Sequence, residues 1–97
     1  MTVEELANSA APDAAPPAGI SDEARALWFA KAGRWEQAHD LCQEIESPSG
    51  YWIHAYLHRV EGDLSNAAYW YARAGRPAPS RSKTLEIEWL EIAAAFV

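Results

Sequence analysis

Cysteine is almost absent from this chain. The single residue, Cys42, excludes an internal disulfide and a zinc site built on thiolates, and it suits a reducing compartment. Positive charge is scarce as well. Eight Lys and Arg stand against 14 Asp and Glu, for a net charge of −6, so neither nucleic acid nor an anionic membrane surface is an expected partner. Glycine is limited to five positions with no glycine-rich phosphate loop, and no cofactor is expected. Long apolar runs are missing too. No stretch approaches the ~18 residues of a membrane span, and the first residues carry Glu4 and Glu5 where an export signal would be basic. The expected location is cytoplasmic.

What is present favours helix. Among 97 residues, 20 are alanine, and five Trp, four Tyr and two Phe supply the large rings from which a short chain can build a core. Length allows one small domain. From Ala10 to Ala18 every residue but Asp13 is Ala or Pro, and Pro12, Pro16 and Pro17 interrupt helix formation, so residues 1–19 read as a disordered Ala/Pro-rich tail and residues 20–97 as the folded domain.

Five helices follow. Ser21 can cap the first, with Asp22 and Glu23 in its opening turn and Gly33 beyond its end. The second starts near Trp35 and carries Ala38, Leu41, Cys42 and Ile45 at spacings of three and four, up to the break at residues 47–50. The third covers Tyr51 to Glu61. Asp63 caps a fourth, Leu64 to Ala74, terminated by Gly75 and then Pro77. After a loop at 76–82, the fifth helix places Leu85, Trp89, Ile92 and Phe96 on one stripe, widened by Ile87, Leu90 and Ala94. Nothing reads as a strand.

An offset of 29 aligns the chain with itself: Gly33 with Gly62, Trp35 with Leu64, Ala38 with Ala67, Cys42 with Tyr71, and Ala26 with Ala55. Each position has a physical reason. Glycine turns the chain between two helices, the apolar residue two later seats the second helix, and a small alanine permits close contact. Helices joined by so short a turn lie antiparallel, and one hairpin cannot cover its own apolar face, so the two stack and the last helix covers what remains. In these residues the chain resembles the tetratricopeptide repeat superfamily, its Sel-type branch in particular. The run Asp63, Asn66, Ala67, Trp70, Tyr71, Ala74 looks like the second helix of a Sel-type unit. The resemblance spans about residues 21–79. It implies an all-α fold of two stacked antiparallel hairpins with a C-terminal capping helix, and it implies a protein-binding function.

Two groups of residues are candidates for a site. Trp52, Tyr56 and Arg59 lie on one face of the third helix, and the resemblance places that face in a concave groove. Leu27, Lys31 and Glu23 would extend it along the first helix. Rings beside a guanidinium are the chemistry of peptide recognition, although the same rings suit a core between hairpins. On the neighbouring face, His54 and His58 are four apart with Glu61 three further on, a spacing at which imidazoles can share a divalent metal. Ala55 stands where a zincin has its general-base glutamate, so the catalytic half of that motif is missing, and two hydrogen-bonded core histidines fit the pattern better than ligands do. Cys42, one turn after His39, reads as a buried structural thiol. Arg73, Arg76, Arg81 and Lys83 read as a solvated basic helix end and loop.

The leading expectation is therefore a small helical-repeat interaction module or adaptor, with a protein or peptide partner or a second copy of itself, without a catalytic role and without a resident metal. An exposed Trp28 or Trp70 would add to such a surface. The rival is a metal-dependent or acid–base enzyme centred on His54, His58 and Glu61. A ligand-binding helical domain using the aromatic pocket is the third reading.

Overall fold

A computed structural model describes residues 1–10 and 15–97; they form six α-helices and no strand. In chain order these are α1 (Val3–Ala10), α2 (Asp22–Lys31), α3 (Trp35–Gln43), α4 (Pro48–Val60), α5 (Leu64–Ala74) and α6 (Leu85–Phe96).

The first helix corrects the expectation of a disordered tail over residues 1–19. The backbone N–H of Thr2 donates to Glu5 Oε1 (2.9 Å) and that of Glu5 donates to Thr2 Oγ1 (3.1 Å), a reciprocal capping box that fixes the start of α1. Leu6 and Ala10, one turn apart, are buried. Ser9 Oγ accepts from Trp28 Nε1 at 2.9 Å, so α1 is tied to α2 by a polar anchor as well as by burial. Trp28 is fully buried there and contributes nothing to an exposed aromatic patch. Part of the Ala/Pro run expected to be disordered, residues 11–14, lies outside the described residues.

Local chemistry sets the other helix starts. Ser21, Asp63 and Thr84 accept from the backbone N–H of Ala24, Asn66 and Ile87, satisfying one free donor at each helix start. The fourth helix begins at Pro48, earlier than Tyr51, because proline is tolerated in the first turn, where its missing donor costs nothing. Gly50, expected in a break, lies buried inside that turn. A Cβ there would fall 1.9 Å from the Ile45 carbonyl oxygen and 2.7 Å from Ile45 Cβ, so the close passage of residue 45 over α4 requires glycine.

The 29-residue offset holds in the hydrogen bonds of the two turns. Gly33 N–H donates to Ala30 O and Arg34 N–H to Phe29 O; Gly62 N–H donates to Arg59 O and Asp63 N–H to His58 O. Both glycines are left-handed, at φ +79° and +83°. Ala38 and Ala67, the small residues expected at the helix contacts, are buried. In packing, α2 lies on α3, α4 on α5, and α3 on α4, with α2 also touching α4.

The last helix crosses both pairs, contacting α4, α2 and α1. Trp89 Nε1 donates to the Leu27 carbonyl at 2.9 Å, and Trp89 and Ile92 are buried. No helix among the described residues is long and apolar enough to cross a membrane.

Candidate functional site

The aromatic stripe is interior. Trp52, Tyr56 and Leu27 are buried, and α6 lies over them, with Trp52 edge-on to Phe96 at 6.2 Å between centroids. Arg59 Nη1 donates to Glu88 Oε1 at 2.8 Å and Nη2 donates to the Lys83 carbonyl; Tyr71 Oη donates to Glu88 Oε2 at 2.5 Å. Burial, followed by the nearby Glu88 carboxylate, pushes the Tyr56 phenol up to about 12. Lys31 stays exposed, with Nζ 5.2 Å from the Trp89 ring, and Glu23 accepts from Ser49 Oγ at 2.9 Å. Leu27 and Tyr56 offer almost no surface to a partner, whereas the edge of Trp52 still lines two clefts beside Arg76. On the face expected to receive a peptide, α6 packs against α4 and α2, and much of the aromatic stripe is core. Much of the basic cluster is used on rings: the Arg76 guanidinium lies 3.4 Å from the Trp52 centroid, and that of Arg73 lies 4.6 Å from Tyr51 and 5.2 Å from Trp70.

The histidines form the more unusual constellation. All three in the chain converge where α3 meets α4. His39 Nε2 and His54 Nε2 are 3.0 Å apart, and His54 and His58, one turn apart on α4, stack at 4.8 Å between centroids. One ring nitrogen from each of the three lies within 4.8 Å of the others. Neighbours hold each ring. Trp35 stacks on His39 at 4.7 Å and is itself held by Nε1 donating to the Leu57 carbonyl at 2.7 Å. Trp70 of α5 stacks on His54 at 4.0 Å. His58 Nδ1 meets Glu61 Oε1 at 2.7 Å. Glu61 therefore engages His58 directly and is not grouped with His54 and His58 as a ligand set; His39 takes that place among the described residues.

His54 and His58 are buried and His39 is half-buried. Burial, followed by the neighbouring His39 and His58, pushes the His54 pKa down to about 4, and burial with His58 lowers that of His39. Cys42 donates Sγ–H to the His39 carbonyl at 3.2 Å, and burial pushes its thiol up to about 12, consistent with a structural thiol. A cleft of about 150 Å³ lined by Cys42, Gln43, Tyr51, His54 and Trp70 opens beside the cluster.

The depressed His54 value has a consequence for stability. In the unfolded chain this imidazole titrates near 6.5, so between 6.5 and about 4 the unfolded state binds the proton and the folded state does not. Stability is full above that window and falls through it as the pH drops. Chemical denaturation at pH 7.5 and 4 is expected to differ by about 2 to 3 kcal/mol through this group. A His54→Gln chain with the same pH dependence as wild type would refute the assignment.

Spacing along α4 pointed to His54, His58 and Glu61, but His39 lies on another helix. Only the turn geometry that sets α3 against α4 could have signalled it. No family model, curated protein or solved structure matches the chain.

Proposed function

We propose that the chain is a small helical-repeat interaction module of the tetratricopeptide type, in which two stacked hairpins, α2–α3 and α4–α5, are sealed by α6. Its working surface is then the outer face of α6, and the occupant is a second copy of the same chain.

One observation carries this reading: α6 carries large apolar side chains on its exposed side as well as on its buried one. Its inner side holds Trp89, Ile92 and Ala93 in the core, while Ile87 (47% exposed) and Leu90 (39%) are exposed together with Ala94, and Val97 (41%) follows just past the helix end. Glu86 and Glu91 flank this outer strip, and an exposed apolar strip rimmed by charge suits a partner surface. The outward residues follow a three, four, three spacing, the pattern by which one helix seats against another along a seam. The repeated turns at Gly33 and Gly62, with Ala38 and Ala67 at the helix contacts, support the stacked-hairpin architecture.

Four seam positions bury little area, so the dimer is weak and concentration-dependent. Sedimentation equilibrium is expected to show reversible self-association. Leu90→Glu should raise the dissociation constant about 30-fold, or about 2 kcal/mol, by placing a charge in the seam, with helical circular dichroism unchanged. A wild-type chain that stays monomeric at millimolar concentration would rule the surface out, as would a Leu90→Glu chain that associates as before.

A further inference from the structure

We infer that His39, His54 and His58 form a binding site for one late first-row divalent cation, zinc being the physiological choice. The site is independent of self-association through α6. The argument is geometric. Zinc–imidazole bonds of ~2.0 Å in a tetrahedron place neighbouring nitrogens about 3.3 Å apart. The Nε2 atoms of His39 and His54 are already 3.0 Å apart. The third imidazole closes the set within 4.8 Å, so only a small inward movement of one ring is needed.

The surroundings resemble the supports a metal site needs. A coordinating imidazole is usually oriented by a group on its other nitrogen, commonly a carboxylate. Glu61 occupies that position on His58, bonded to Nδ1 and leaving Nε2 free to coordinate. Trp35 and Trp70 clamp the other two rings in plane, so the rings have little orientational freedom to lose on binding. Three imidazoles with no carboxylate favour zinc, cobalt, nickel or copper over magnesium or calcium. Cys42 does not belong to the group of nitrogens brought together here, and its S–H points to the His39 carbonyl. The fourth position is left to water or a small ligand entering by the cleft that His54 lines.

A second grouping, His58, Glu61 and Asp63, competes on paper, but Asp63 is already engaged in capping α5. The experiment must separate the two. Tag-free chain, stripped with chelator, is titrated with Co²⁺ and then Zn²⁺. One equivalent of Co²⁺ should give the intense visible bands of four-coordinate cobalt, and Zn²⁺ should bleach them. His39→Gln and His54→Gln should each weaken binding by at least about 100-fold, and Glu61→Gln by about 10-fold, as expected for a ligand and for its supporting group. Asp63→Asn, which can still cap, should bind as wild type. If His54→Gln fails to fold, His39→Gln at its half-buried position decides the matter. No saturable binding by wild type would overturn the proposal, as would unchanged affinity in His39→Gln or loss of binding in Asp63→Asn alone.

Discussion

Replacing Arg59 by alanine is expected to destabilise the fold by about 3 to 5 kcal/mol, enough to unfold much of a domain of ordinary stability. Glu88, on the inner side of α6, is 3% exposed and takes its compensating charge from Arg59. Removing the guanidinium leaves that carboxylate buried with only the Tyr71 hydroxyl as a donor, and it also frees the Lys83 carbonyl just before α6. The penalty is one of stranded charge and not of lost attraction. Replacing the whole group by apolar residues, Arg59→Met with Glu88→Leu and Tyr71→Phe, should therefore recover most of the stability. Urea denaturation of the single and triple variants checks both statements. An Arg59→Ala chain within 1 kcal/mol of wild type would show that α6 is not held by this group.

Gly50→Ala should cost about 3 kcal/mol, against the gain that alanine normally brings to a helix. The added methyl would meet the Ile45 carbonyl oxygen at 1.9 Å, and that neighbour is backbone, which cannot swing aside as a flexible side chain could. Relief requires the 45–48 connection to shift, and with it the start of α4 and the positions of His54 and His58 further along. Thermal unfolding measures the loss. A neutral or stabilising outcome would mean that the connection is loose. Gly33→Ala differs in kind: its Cβ would meet nothing within 4 Å, and only the left-handed backbone opposes the change.

Both effects arise where the sequence is hard to read. Helices α2 to α6 are legible from apolar residues at spacings of three and four, helped by local signals at some ends: Ser21 and Asp63 before α2 and α5, and Gly33, Gly62 and Gly75 after α2, α4 and α5. The first helix buries Leu6 and Ala10 and packs Val3 and Ala7 against the core, a helical spacing that is short and stands beside an Ala/Pro run. Its usable signal is the threonine and glutamate three apart at residues 2 and 5. Gly50 looks like a turn residue because its role depends on how close residue 45 passes. The stripe of Trp52, Tyr56 and Arg59 was visible as a stripe, but whether a groove is open or filled depends on where α6 lies, more than 25 residues on. For the histidines, the pair on α4 follows from helical spacing, whereas His39 joins it only through the packing of α3 on α4.

The bond from Trp89 Nε1 to the Leu27 carbonyl joins residues 62 apart in sequence. Arrays of stacked repeats are ordinarily close to one-dimensional, each unit touching only its neighbours, so that they can fray from an end and be lengthened or shortened by whole units. Here α6 packs against α2 as well as α4, and α1 closes against both α2 and α6. Opening α2 or α4 away from the rest therefore costs the contacts that α6 makes with it. Contacts so far apart in sequence carry a loop-closure cost that a purely local array does not have. A further helix pair inserted between α3 and α4 would draw Trp89 away from Leu27, so the bond fixes the spacing of the helices it spans.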